Sequence, residues 1–239
     1  MKIDILAFAA HPDDVELACS ATVMKHIAMG KKVGIVDLTQ GELGTRGTGQ
    51  LRLEEAAQSA KVMGLSFREN AGLADGFFDL SKENKLTIIK FIRKYQPEII
   101  LCNAKTDRHP DHERAGKLVS ESSFLSGLVK VETTLNGIQQ SPWRPNAIYH
   151  YIQDRYIKPD VVVEVSDELM RKKMEAIFSF KSQFFNPDSD EPETPISSKA
   201  FIEFIEARCR EMGREIHAEY AEGFTINRAI GIDSFFDVK

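Results

Sequence analysis

Short apolar runs that break off into polar loops and then into helix-length stretches recur along the first half of this chain, and that alternation restricts the fold more than any other feature. Residues 5–10 form an apolar run suited to a strand buried on both faces, and residues 15–29 follow with helical length, closed by Gly30. A second strand is expected over 33–38, then a glycine-rich loop from Gly41 to Gly49 and a helix over 51–63 stopped by Gly64. In 81–96 the apolar residues Ile88, Phe91, Ile92 and Tyr95 fall at helical spacing, and Pro97 ends that helix ahead of a strand over 98–102. Such alternation predicts a mainly parallel sheet covered by helices on both faces, a three-layer α/β/α sandwich. Ligands of such sheets collect at the carboxyl ends of the strands.

After a helix over 111–125 the pattern loosens through 131–146, then gives short strands over 147–152 and 161–165. Helices over 167–180 and 198–212 flank the stretch 186–195, whose prolines and acids predict an exposed loop. No repeat or composition break divides the 239 residues, so one Rossmann-like α/β domain over 1–239 is expected. A hydrophobic fraction of 42% and a charged fraction of 28% exclude disordered, collagenous and membrane classes. The net charge of −5 gives the chain no general attraction to phosphate backbones or anionic lipid, so neither nucleic acid nor membrane is an expected partner. Cys19, Cys102 and Cys209 lie far apart and form no CxxC pair, which fits a reducing cytoplasm. The amino-terminal apolar run flows into charged residues without a small-residue cleavage site, so it reads as a buried strand.

Chemistry concentrates where two of the expected strands end. The first runs into Ala10-His11-Pro12-Asp13-Asp14 just before a helix, and the strand over 98–102 leads through a short loop to Arg108-His109-Pro110-Asp111-His112 before another. Two His-Pro-Asp clusters are therefore expected at one sheet edge. Catalytic zinc takes three nitrogen or oxygen ligands and keeps one position open for water, and His11, Asp14 and His112 supply such a set. An aspartate ahead of a helix can also serve as a cap for free amides, a use open to Asp13, Asp14 and Asp111.

Here the chain resembles the LmbE-like, or PIG-L-type, family of zinc deacetylases. The resemblance is carried by Ala10-His11-Pro12-Asp13-Asp14-Val15-Glu16 and His109-Pro110-Asp111-His112, and supported by the loop Gly41-Glu42-Leu43-Gly44-Thr45-Arg46-Gly47-Thr48, by Arg52 with Glu54-Glu55-Ala56, and by Tyr220-Ala221-Glu222-Gly223-Phe224. It is closest in these features to the bacillithiol-biosynthesis branch, whose members deacetylate N-acetylglucosaminyl malate, and to relatives acting on N-acetylglucosamine or its oligomers. The resemblance implies one zinc per subunit on His11, Asp14 and His112, with Asp13 as general base. It also implies a small N-acetylated amino-sugar substrate and assembly into a homo-oligomer such as a hexamer.

Within that scheme Asp13 takes a proton as hydroxide attacks the acetyl carbonyl, and a protonated His109 helps to hold the oxyanion. Either residue can protonate the departing amine. Asp111 is expected to fix an imidazole tautomer or to cap the following helix. Arg52, Arg46 and Arg108 are the arginines expected on substrate, the last two for the carboxylates of malate. His26 and His150 read as packing or surface residues, and His217 as an ordinary helix-face histidine, with reach into the site or a subunit contact as its alternative. Nucleotide chemistry would need a GxGxxG turn after the first strand, which is absent. A metal-dependent phosphoesterase would draw on more carboxylates and histidines, and a non-catalytic sugar-binding protein would not need Asp13 and His109.

Overall fold

A computed structural model describes residues 1–186 and 190–238. Its centre is a seven-stranded sheet formed by β1 (Ile5–Ala9), β2 (Val33–Asp37), β3 (Phe67–Asn70), β4 (Ile99–Cys102), β7 (Ala147–Tyr151), β8 (Val161–Val165) and β9 (Tyr220–Ile226). β5 (Thr134–Leu135) and β6 (Ile138–Gln139) make a separate hairpin in the stretch where the sequence pattern loosens. The sheet order is β3-β2-β1-β4-β7-β9-β8, with parallel pairing from β3 to β7, and β9 runs antiparallel to both of its neighbours. The mainly parallel α/β fold read from the sequence is the fold observed.

Side chains alternate across β1 as a pleated strand requires. Leu6 and Phe8 enter one core with Ile88, Ile92 and Tyr95 of α3 (Lys82–Tyr95) and with Ala115, Leu118 and Val119 of α4 (Pro110–Ser126). Ile5, Ala7 and Ala9 enter the other, with residues of α1 (Asp14–Ala28), Met63 of α2 (Gly49–Met63) and Ala176 of α5 (Asp167–Ile177). A third cluster joins α5 to α6 (Lys199–Arg214) through Ile177, Phe180, Phe184, Ile205 and Cys209. Full burial of a side chain such as Phe8 contributes about 1.5–3 kcal/mol, which is why the two-faced apolar strands end up central. Among the described residues no helix is long and apolar enough to cross a membrane.

Several boundaries differ from the sequence reading for local reasons. Thr48 caps α2 by accepting from the Leu51 amide, so the helix starts at Gly49 rather than 51. α5 stops at Ile177, where the Phe180 amide turns back onto the Ile177 carbonyl, instead of running to 180. β3 was not expected, because three of its four residues are charged or amide; Arg68 points into a buried carboxylate pair, Glu16 and Asp37. His217 lies in an exposed turn at φ 57° and not on a helix face, since α6 has already ended at Arg214. Of the expected loop 186–195, residues 187–189 lie outside the described residues.

α1 is broken at Cys19 (φ −146°, ψ 20°), and side chains from the carboxyl half fill the break. Glu222 of β9 accepts from the amides of Ala21 and Thr22 at 3.2 and 2.6 Å. Lys173 of α5 and Arg208 of α6 both donate to the Leu17 carbonyl, at 2.9 and 2.7 Å. Lys173 and Glu222 are themselves a fully buried ion pair at 2.7 Å. All three cysteines are buried and unpaired.

Candidate active site

The carboxyl ends of β1, β4 and β7 meet beside the amino ends of α1 and α4, and the residues that follow those strands build one cluster. After β1 the chain turns sharply, with Asp13 held at φ 143°, a strained value for a residue with a side chain. That turn sends the neighbouring carboxylates different ways. Asp14 faces the imidazoles, its Oδ1 3.2 Å from His112 Nε2 and its Oδ2 3.8 Å from His11 Nδ1. Asp13 instead accepts from Arg52 Nη2 at 2.9 Å.

Each imidazole has an outer carboxylate on its far nitrogen. His112 Nδ1 lies 2.7 Å from Asp107 Oδ2, and His11 Nε2 lies 3.0 Å from Asp75 Oδ1 and 3.4 Å from Asp111 Oδ2. A carboxylate on one ring nitrogen fixes the tautomer and presents the other nitrogen's lone pair. The nitrogens left to ligate a metal, once its binding displaces their protons, are His112 Nε2 and His11 Nδ1, and both face Asp14. Two imidazole nitrogens beside a carboxylate, each nitrogen facing a different oxygen of Asp14, are donor types that suit a divalent metal such as zinc. The three rings of His11, His109 and His112 also bring one nitrogen each within 4.8 Å of one another, as do His11, Asp75 and Asp111 with their ligand atoms.

Asp14 is braced from behind. The His11 amide and Asn103 Nδ2 donate to its Oδ2 at 3.0 and 2.9 Å, and Gln153 Nε2 donates to Oδ1 at 2.7 Å. Burial opposes its charge, but His112, His11 and Gln153 hold the carboxyl well below its ordinary range. Burial opposes charge on the imidazoles too; hydrogen bonds to Asp111 and Asp75 raise His11 to about 9, and Asp14 with Asp107 raises His112 to about 10. Asp13 is pushed up by burial to about 7, with Arg52 pulling the other way.

His109 differs from the protonated form expected for it. As the residue capping α4 it accepts the Asp111 amide at Nδ1, 3.2 Å away, which leaves Nε2 to carry the proton of a neutral ring. Burial and the neighbouring His11 and His112 push its pKa below the ordinary value. A neutral imidazole of this kind still has one N–H to donate. Asp111 is fully buried, takes the Gly76 amide and Arg114 on its oxygens, and sits beside His11.

The cluster floors a cavity of about 450 Å³. Of the arginines expected on substrate, Arg52 and Arg108 line it and Arg46 does not; Arg46 is buried, with its carbonyl accepting from Gln183. Arg52 is held by the Pro12 and Gly41 carbonyls as well as by Asp13, so in this arrangement it positions the carboxylate. Gly41 is required for that contact: at φ 65°, a Cβ there would stand 2.0 Å from Arg52 Nη1. Arg108 is half-exposed and paired with Asp154 at 2.7 Å. His26 and His150 lie apart, bonded to the Thr22 carbonyl and to the Asn103 carbonyl with Ser120 respectively.

Five residues of the site were not singled out by sequence reasoning: Asp75, Asn103, Asp107, Gln153 and Arg208. Asn103 and Asp107 sit in the loop that leaves β4, and Gln153 just beyond β7, so polar residues directly past strand ends were the available signal. Asp75 follows the unexpected β3 and had no such marker.

A family description, PIG-L: GlcNAc-PI de-N-acetylase, matches residues 6–123, which carry both His-Pro-Asp clusters. The conserved protein TT1542 from Thermus thermophilus is 30% identical, with a TM-score of 0.85 over 98% of each chain. The chain belongs to the PIG-L, or LmbE-like, deacetylase family. Another relative of this PIG-L protein is the diacetylchitobiose deacetylase of Thermococcus kodakarensis, 29% identical over 75% of this chain and 70% of its own. The N,N'-diacetylchitobiose deacetylase of Pyrococcus horikoshii, solved with its inhibitor MPG, is 26% identical, with a TM-score of 0.77 over 93% of this chain and 83% of its own. As a PIG-L member the protein is a hydrolytic N-deacetylase.

Proposed function

We propose that this deacetylase hydrolyses the acetamide of N-acetylglucosaminyl L-malate, giving glucosaminyl malate and acetate as a step of bacillithiol biosynthesis. The observation that carries a hydrolytic reading of the site is the division of labour between adjacent carboxylates. Asp14 faces two imidazoles, while Asp13, turned away from them, borders the same cavity. Zinc held by His11, Asp14 and His112 would supply polarisation of the acetyl carbonyl and a water acidified to a pKa of roughly 7.

The chain's own groups then have distinct tasks. Asp13, fixed by Arg52, takes a proton from the water that attacks the acetyl carbon. His109 donates its Nε2 proton in a hydrogen bond to the carbonyl oxygen as that oxygen gains charge. When the C–N bond breaks, the amine takes the proton that Asp13 received from the water, and acetate and a free amino sugar leave. The malate reading is supported by the cationic side chains Arg108 and Arg208 on the cavity wall. The second reading, deacetylation of N-acetylglucosamine or a chitin oligomer, is favoured by the two diacetylchitobiose deacetylases among the relatives.

Amine release by the zinc-loaded protein from N-acetylglucosaminyl malate, N-acetylglucosamine and diacetylchitobiose, each with a chelator control, separates the two. Chelator-sensitive preference for the malate conjugate is the expected result. Preference for either neutral sugar transfers the enzyme to the second reading.

A further inference from the structure

Three arginines line the cavity: Arg52, Arg108 and Arg208. Arg52 is matched by Asp13 at 2.9 Å and Arg108 by Asp154 at 2.7 Å. Arg208 has no carboxylate within 4.0 Å among the described residues, although it is only 7% exposed. It donates from Nη2 to the Leu17 carbonyl at 2.7 Å, and its guanidinium lies 5.3 Å from the centre of the Phe204 ring. Glu222, Asp154 and Asp107 act on it only at longer range, and burial pushes its pKa below the ordinary value. A guanidinium withdrawn from water needs a counter-charge to recover what it lost in hydration. Its remaining donors border a cavity shared with Asp13 and His109.

We infer that Arg208 is a specificity-determining residue, which receives an oxyanion on the aglycone of the sugar substrate, a carboxylate or a phosphate. This rests on the sugar-deacetylase reading and adds to it the charge class of the substrate. The Leu17 contact fixes one edge of the guanidinium fork, so the fork is pre-oriented rather than recruited from solvent. A neutral aglycone would leave the charge unmatched and so bind less well.

The test compares wild type, Arg208→Gln and Arg208→Lys on N-acetylglucosaminyl malate, N-acetylglucosamine 1-phosphate and the neutral methyl N-acetylglucosaminide. Arg208→Gln is expected to lower kcat/KM for an anionic substrate about 10- to 100-fold relative to the neutral one, through KM, with Arg208→Lys recovering part of the loss. The anionic substrate that loses most identifies the oxyanion. An equal fall on charged and neutral substrates, or no fall, overturns the inference. If wild type turns over none of the three, the sugar-deacetylase reading fails, and equilibrium binding of L-malate and inorganic phosphate decides about Arg208: affinity the same in Arg208→Gln as in wild type overturns it. Should Arg208→Gln fail to fold for want of the Leu17 contact, Arg208→Lys decides by raising KM for the charged substrate alone.

Discussion

Asp13 and Asp14 are chemically identical neighbours whose surroundings give them separate work, one against a guanidinium and one between two imidazoles. Asp14→Asn should therefore lose bound zinc, and Asp13→Asn should keep it while losing turnover; metal content by mass spectrometry of the native protein, alongside kcat, checks both. His109→Ala should also retain metal and lower kcat about 100- to 1000-fold, as removal of an oxyanion donor does. Metal lost in His109→Ala but kept in Asp14→Asn would make the three-histidine grouping the true ligand set. Asp107→Asn should weaken zinc binding about 10- to 100-fold by releasing the His112 ring, measured by competition with a chelator. At this scale the sequence was readable where chemistry is contiguous. His11 to Asp14 and His109 to His112 announce themselves as runs, whereas Asp75, Gln153 and Arg208 come singly from distant loops and helices. An isolated aspartate or arginine carries no local pattern that separates it from a surface charge.

Elements were legible where burial imposes a period. β1, β2 and β4 are apolar on both faces, and the helices between them end at Gly64 or before Pro97, so their placement followed from composition and punctuation. β3 escaped because its charges are satisfied inside the protein, Arg68 by Glu16 and Asp37, which a one-dimensional pattern reads as exposure. The pairing of β9 escaped because an antiparallel strand inserted between β7 and β8 depends on partners far back in the chain. Close packing between elements yields a further expectation. A Cβ at Gly116 of α4 would meet the Asn103 carbonyl oxygen at 2.6 Å, backbone that cannot swing aside. Gly116→Ala should cost about 1–3 kcal/mol in denaturant unfolding and weaken zinc binding, because α4 carries His112. An unfolding midpoint equal to that of wild type would show that α4 can move without loss.

For the whole molecule, the cluster makes stability of the metal-free protein depend on pH in both directions. Asp75 is held at about 2 against burial by His11 and the Leu43 amide, and Asp14, Asp107 and Asp111 are also depressed. Their contribution is complete above the unfolded value near 4 and is lost as pH falls through the folded values. His11 and His112, raised to about 9 and 10, contribute fully below about 6.5 and lose that contribution as pH rises through those values. Asp13, raised to about 7, costs stability as pH rises from about 4 to 7. Thermal melts of chelator-stripped protein should thus be highest at about pH 4 to 5 and fall toward pH 10, and added zinc should raise Tm most on the alkaline side, where the imidazoles are already neutral. A metal-free Tm that stays level from pH 6.5 to 10 would contradict this. The buried Lys173–Glu222 pair sets another whole-molecule term: Glu222→Ala should destabilise by about 3–5 kcal/mol in denaturant unfolding, since it strands the Lys173 charge and the amides of Ala21 and Thr22. The break in α1 that Glu222 spans also has a meaning in time. Every side chain proposed to hold metal has been synthesised by residue 112, yet the helix that presents Asp14 is clamped at its midpoint by a carboxylate that arrives a hundred or so residues later, in the last strand of the sheet. A nascent chain would therefore carry its reactive groups unassembled through the second half of translation, and would acquire a working centre only when its final strand slots home.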